Sequence, residues 1–397
     1  MRLCRLLSLL ALSLSLVGCW SRIEINDLAI VGLIGIDRSE DGDIELWINV
    51  NVPSRLGGAP GTAPAQGSSG SPVVTLSARG QTVVQAANRI QTQLPRRLFW
   101  AHARVILIGE RLARENSRAA VDFLTRHREL RLNNYVLVVP DKPQDVMGRM
   151  VDIERLPSDY IREIERSRIV PVSTVQTWVQ QLASPGADPY LAVADSVDPP
   201  PGAPDGQRSG IEVNRAALFQ RDRLVHYADF ETSQGLMWLA GQPHHGVVTV
   251  TVPGVSGAIS VVWLYSHTDR RVRVENGRVA VYVHVRIEGD VAEQQAALDL
   301  SDAGQLRRVE AQMAGAVKAR MMQAVKLMKE LKVDSAGIGE EIHRQQPAMW
   351  YRLHKDWQEE AFPSTKIVVS VDARVRRTGL TSRPQGIREN EFIEERK

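Results

Sequence analysis

Residues 272–331 constrain the fold more than any other stretch, because their hydrophobic period changes from two to helical without a long break. Val272 and Val274 lead into Asn276-Gly277, after which Val279, Val281, Val283, Val285 and Ile287 alternate with polar or aromatic residues. Asn-Gly between alternating runs predicts a tight hairpin, since both turn positions need positive φ. From Ser301 the apolar spacing is helical, with Leu306, Val309, Met313, Val317, Ala324, Met328 and Leu331 on one stripe and Arg, Lys, Gln and Glu opposite. Thirty helical residues reach roughly 45 Å at 1.5 Å per residue. No Pro interrupts this run, and Gly315 is its only interior glycine. A stripe this wide is expected to lie across an antiparallel sheet, with a coiled coil as the lesser option.

The rest of the chain alternates strands and helices in the same way. Asp27–Asp37 is continuously apolar, as in a strand buried on both faces. Asp41-Gly42 marks a turn, and Ile44–Val52 alternates at period two, so the two form a hairpin. Ser54–Pro72 is rich in Gly, Pro, Ser and Ala and reads as a loop. A strand at 72–78 precedes a helix capped by Thr82 and ended by Pro95. Ala103–Gly109, a helix through Ala120, Leu124 and His127, and Asn134–Val139 form a β-α-β unit. Asp141 is expected to cap a short helix carrying Val146 and Met150. Two further helices are expected at Ser158–Ser167 and Thr174–Ala183, each led by a capping residue. Strands follow at 211–220, 224–227, 247–252 and 259–266. A helix bearing Trp350, Leu353 and Trp357 and a last strand around Ile367–Val375 end the folded part.

The expected architecture is α+β and multi-domain, with mixed or antiparallel sheets and packed helices, including the long one near 302–332. The expected divisions are a leader at 1–18 and an N-terminal α/β region at 19–183, with a second subdomain left open from about 151. Ser184–Gly210, dense in Pro, Gly and Asp, reads as the main linker. An antiparallel-sheet and long-helix domain follows at 211–380, then a polar tail at 381–397. At 397 residues, 43% hydrophobic and 24% charged, the chain has apolar material for two or three cores.

The first residues set the compartment. A basic head, Met1–Arg5, precedes Leu6–Val17, which holds only Leu, Ser, Ala and Val. This run has the length of a signal-peptide core and is shorter than the roughly 20 residues that span a bilayer. It ends in Leu16-Val17-Gly18-Cys19, the order a lipoprotein peptidase requires: an aliphatic residue three positions before the Cys and a small one just before it. Cleavage between Gly18 and Cys19 is therefore expected, with S-diacylglyceryl on Cys19 and N-acylation left open. The chain has 2 Cys, and loss of Cys4 leaves Cys19 alone, so no intrachain disulfide forms. Removing Arg2 and Arg5 leaves 47 basic against 46 acidic residues. That balance gives no polybasic surface and no indication of nucleic acid binding.

Catalytic signatures are absent: there is no GxxxxGK, GxGxxG after a strand, GxSxG or HExxH, and a single mature Cys excludes cysteine-cluster zinc sites. No catalytic, metal or cofactor residues are therefore assigned. His244-His245 would point to opposite faces of a strand and reads as surface turn histidines. His343 and His354, near Glu340 and Glu341, read as a solvated helix face rather than a metal site. His284 should lie on the wetter face of its strand, and Trp350 and Trp357 in the core. Arg126, Arg128 and Arg131 around Glu129 fit an anion site or, more simply, the basic end of a helix.

Several segments in order resemble the Ger(x)C family, the lipoprotein C subunits of spore germinant receptors. They are GCWSRIEINDLAIVGLIGID from Gly18, LFWAHARVILIGERLA from Leu98, FLTRHRELR ending at Arg131, AALFQRDRLVHYADFETSQGLMWLAG from Ala216, VDSAGIGEEIHRQQPAMW from Val333, DWQEEAF from Asp356, and the last strand to Gly379. His127 stands where many relatives carry an acid, the loop after Ser54 is long, and the 184–210 segment has extra prolines. The resemblance implies a non-enzymatic, lipid-anchored subunit on the outer face of the cytoplasmic membrane (the spore inner membrane), working beside integral-membrane A and B subunits. Direct small-molecule binding is not expected of it. The alternatives are a solute-binding lipoprotein of a transporter and, less so, an anchored hydrolase. The hairpin Leu28–Val52, nearest the anchor, is the candidate contact surface.

Overall fold

The structure is a computed structural model, described here for residues 24–56, 71–149, 153–199, 201–202, 210–242 and 245–385. Gly18, Cys19, most of the Gly/Pro-rich loop, Met150, His244 and the end of the tail lie outside these residues.

Two sheets organise the chain. The first contains β1 (Leu28–Arg38), β2 (Ile44–Asn51), β3 (Val73–Gly80), β4 (Arg97–Phe99), β5 (Val105–Gly109), β6 (Tyr135–Val139), β7 (Tyr190–Val197), β8 (Gly210–Gln220) and β9 (Arg223–Ala228). Its order is β3-β2-β1-β5-β6-β7-β8-β9, with β4 beside the start of β1. The centre, β1-β5-β6-β7, is parallel, and both flanks are antiparallel. Continuous apolar runs in β1, β5 and β6 follow from burial on both faces. One face packs Ile34, Ile36, Ile48 and Ile106 under helices α1 (Val83–Gln91), α2 (Glu110–Glu115), α3 (Arg118–Arg126) and α6 (Val175–Ala183). The other packs Leu33, Trp47, Leu107 and Leu137 on α4 (Pro143–Met147) and α5 (Pro157–Ser167). The hairpin Leu28–Val52 is thus the interior of this layer, with almost every β1 and β2 side chain covered. It offers no broad contact surface, which corrects that expectation.

The second sheet has the order β10-β11-β12-β13, from β10 (Gly246–Thr251), β11 (Ala258–Glu275), β12 (Arg278–Gln294) and β13 (Lys366–Arg377). The β11–β12 turn has φ of +50° at Asn276 and +78° at Gly277, as Asn-Gly requires. The long helix α8 (Ala303–Leu331) lays Val309, Met313, Val317, Met321, Ala324 and Met328 on Val281, Val283, Val285 and Ile287. Asp302 caps it, its carboxylate accepting the Gln305 N–H at 2.8 Å. The opposite face of the sheet is open, and on it His284 meets Ser370 at 3.0 Å and Asp372 at 3.4 Å. One edge departs from the antiparallel expectation, because β13 runs parallel to β12. The helical crossover between them carries the chain back before β13 begins.

Four local expectations are also corrected. Residues 184–210 are not simply a linker: β7 lies within them, pairs with β6 and β8, and buries Tyr190–Ala194. Likewise β8 and β9 extend the first sheet rather than the second. Asp141 does not cap α4; Asp145 reaches back to the Lys142 N–H at 3.3 Å, and Pro143 supplies the first-turn φ. Pro157 does the same for α5, whose N-cap Leu156 makes no side-chain bond. Thr82 and Thr174 cap α1 and α6 as expected.

Helix α7 (Phe230–Ala240) joins the layers. It packs on β8, β11 and α8, so Thr232 to Leu239 are all buried, and Trp238 meets Trp263 at 5.2 Å. Gly235 permits the approach to α8: a Cβ there would sit 2.2 Å from the Arg320 carbonyl oxygen. Gly235→Ala is expected to cost about 1–3 kcal/mol by forcing the helices apart. Gly315→Ala, with open space around the site, is expected to stabilise α8 by about 1 kcal/mol. Urea midpoints of the two variants should move in opposite directions, and a shift of the same sign for both would contradict this packing.

Candidate functional site at the junction of the two sheets

The sheets meet where the chain leaves α6 and enters β7, against the turn that follows α8. Main-chain bonds start the contact: Glu340 N–H donates to the Gly186 carbonyl at 3.0 Å, and Asp188 N–H to the Asp334 carbonyl at 2.9 Å. Asp188 answers through its side chain, one oxygen accepting the Asp334 N–H at 2.9 Å. Its other oxygen accepts the Arg221 N–H at 2.8 Å and the Gln358 amide at 2.6 Å. Asp334 is fully buried. It accepts the N–H groups of Ile338 (2.8 Å) and Gly339 (2.7 Å) and the Trp357 indole N–H (3.1 Å). It thereby satisfies the first donors of α9 (Ile338–Gln345) and fixes Trp357.

Both carboxyls are pushed above the ordinary range, chiefly by burial. For Asp334 the Gly339 and Ile338 donors act against burial, Asp188 adds to it, and the group ends at about 7. For Asp188 the bonds from Arg221 and Asp334 oppose burial. The folded state of Asp334 therefore holds its proton more tightly than the unfolded one. Its contribution to stability is fully present below about 3.8 and is lost as pH rises through about 7. Stability against urea is expected to fall over that window, and to fall less in Asp334→Asn, which cannot ionise. Equal slopes for the two proteins would rule out this assignment.

A cavity of about 590 Å³ opens beside Asp188, between Arg118 and Val121 of α3, the end of α6, the Arg221-Asp222 turn and residues 354–359. Arg118 pairs with Asp222 at 2.8 Å, and Ser117 donates to the Asp222 carbonyl at 2.8 Å. The Asp188 and Asp334 oxygens are engaged by N–H donors, so this geometry suits a clasp better than a proton-transfer site.

The other candidates are dispersed. His343 and His354 both lie against Trp350, at 5.7 and 6.1 Å, and Trp350 meets Trp357 at 5.4 Å, both buried. Among the described residues no group of three or more His, Cys, Asp or Glu is placed to hold a metal. His245 donates its N–H to the Arg168 carbonyl. Helix α3 ends at Arg126, which pairs with Asp122 at 2.8 Å. Glu129 binds the Trp100 N–H at 2.8 Å and Arg97 at 3.1 Å. Arg128 and Arg131 thus lie past the helix end. Sequence reasoning missed Asp188 because it sits in a Pro/Gly-rich stretch. The only local signal there was the apolar Tyr190–Ala194 that follows.

These features define a two-domain α+β protein whose halves are locked through buried carboxylates. Residues 21–196 match the model of the spore germination protein N-terminal domain, and residues 214–379 that of the spore germination B3/GerAC like C-terminal domain. The chain belongs to this GerAC-like family of spore germination proteins. It is 26% identical to spore germination protein KC of Bacillus subtilis (strain 168), over 96% of this chain and 98% of that protein. It is 28% identical to the putative spore germination protein YfkR of the same strain, over 88% of this chain and 90% of that protein. The crystal structure of the GerBC protein shares the fold, with TM-score 0.54 and 19% identity over 86% of this chain and 96% of that one.

Proposed function

We propose that this protein is a non-enzymatic, lipid-anchored subunit of a nutrient germinant receptor. It would act on the outer face of the spore inner membrane by assembling with integral-membrane A and B subunits. The observation that carries the reading is the pairing of a lipid-attachment sequence, Leu16-Val17-Gly18-Cys19, with a family match running to residue 379. Among the described residues no helix is long and apolar enough to cross a membrane. Two acyl chains, each methylene contributing about 0.8 kcal/mol, anchor lastingly where one does not. Mass spectrometry of the mature N-terminus tests this: a diacylglyceryl-modified peptide beginning at Cys19 is expected, and an unmodified one refutes the anchor.

A second reading, a solute-binding lipoprotein, is favoured by the 590 Å³ cavity between the sheets and by the parallel centre of the first sheet. Calorimetry with candidate nutrients separates the two. Saturable binding lost on closing the cavity with Ala187→Trp would favour solute binding.

A further inference from the structure

A separate cavity of about 380 Å³ opens where β5 and β6 begin, with His102, Arg104, Arg131, Asn134, Tyr135 and Arg162 in its wall. The topology fixes its place. β1, β5 and β6 are parallel, so their leading ends lie at the same edge of the sheet as the first described residues. Arg104 N–H donates to the Gly32 carbonyl at 3.2 Å, and Tyr135 N–H to the Arg104 carbonyl at 2.9 Å. Leu28 lies nine positions after Cys19, a reach of at most roughly 30 Å when extended. That tether is long enough to let this end of the sheet rest on a membrane, and short enough to keep it close.

The lining is rich in donors. Asn134 is 4% exposed. Its main chain is held by bonds to Arg131 and Val175, yet its side-chain Nδ2 has no acceptor. A buried donor left so costs roughly 1–3 kcal/mol. Arg131 is exposed and makes no ion pair among the described residues. Arg104 and Arg162 share Asp159, at 3.4 and 3.2 Å, and Arg162 also holds Glu163 at 2.7 Å. Glu163 is also paired with Arg166, at 3.3 Å, so guanidinium groups outnumber carboxylates in this cluster. Guanidinium forks suit a phosphate, which accepts several hydrogen bonds at once.

We propose that this cavity takes a phosphate anion, supplied by the headgroup of an anionic phospholipid in the membrane that holds the chain. The inference rests on the anchored reading above. It orients the molecule, placing the β5–β6 leading edge on the membrane.

The test is amide hydrogen exchange at residues 101–104 and 131–135 of the full lipidated protein. It is read in phosphatidylcholine vesicles, in vesicles also containing phosphatidylglycerol, and in detergent with sodium phosphate or sodium chloride at equal ionic strength. Several-fold slower exchange with phosphatidylglycerol is expected, lost in Arg131→Gln and kept in Arg131→Lys. Thermal unfolding of the variants checks that each remains folded. Exchange that is the same in both vesicles overturns the proposal, and slowing by sodium phosphate alone overturns the lipid as source. Flotation with phosphatidylcholine vesicles, which needs only the Cys19 lipid, tests the anchor separately.

Discussion

Asp334→Ala is expected to destabilise the protein by on the order of 4 kcal/mol, because it strands three buried donors at once, each costing roughly 1–3 kcal/mol. These are the Ile338 and Gly339 N–H groups and the Trp357 indole. Relief from burying a carboxyl with a raised pKa offsets only part of this, since the carboxyl is well supplied with partners. The damage should reach beyond α9. Asp334 N–H is itself held by Asp188, which also holds Arg221 of the β8–β9 turn and Gln358. Denaturant unfolding followed by tryptophan fluorescence should show a lower midpoint, and separation into two transitions as the halves uncouple. A loss below about 1 kcal/mol, within the range of ordinary surface substitutions, would show that the clasp does not hold the domains together.

The clasp also shows how much of the molecule could be read from the sequence. Patterns confined to one segment were legible. Asn276-Gly277 announced its hairpin, the stripe from Val309 to Met328 announced α8, and Thr82 and Thr174 announced their caps. Features set by distant partners were not. Helix α7 shows no stripe because it is covered on all sides, so no amphipathic period marks it. β7 was hidden by the prolines around it, although a strand buried on both faces needs only a short apolar run. The pairing of Asp188 with Asp334 joins residues 146 positions apart, and nothing in either local sequence signals it. The cavity near Arg131 was half legible: the basic cluster was visible, but its separation into a paired Arg126 and a free-standing Arg131 depends on where α3 ends.

Cys19→Ala is expected to have the larger biological effect. Without the thiol no diacylglyceryl group is added and the leader is not removed correctly, so the protein is released or held by its uncleaved signal. A tethered domain meets its membrane partners at an effective concentration in the millimolar range for a short flexible linker, so weak interfaces suffice. Released protein loses that advantage, and nutrient responses that depend on this subunit should fall to the level of a deletion strain. Fractionation and immunoblotting should show the variant unprocessed or outside the membrane fraction. Normal processing and membrane retention of Cys19→Ala would sink the lipoprotein assignment while leaving the fold and family untouched.

The receptor role is tested most directly by the germination of spores lacking this chain in a strain without a redundant paralogue. Such spores are expected to fail with the nutrients that trigger the parent strain, yet to respond to a stimulus that bypasses nutrient receptors. The response should return with the intact gene and stay absent with Cys19→Ala. An undiminished response to every nutrient in the deletion strain would contradict a role in nutrient sensing.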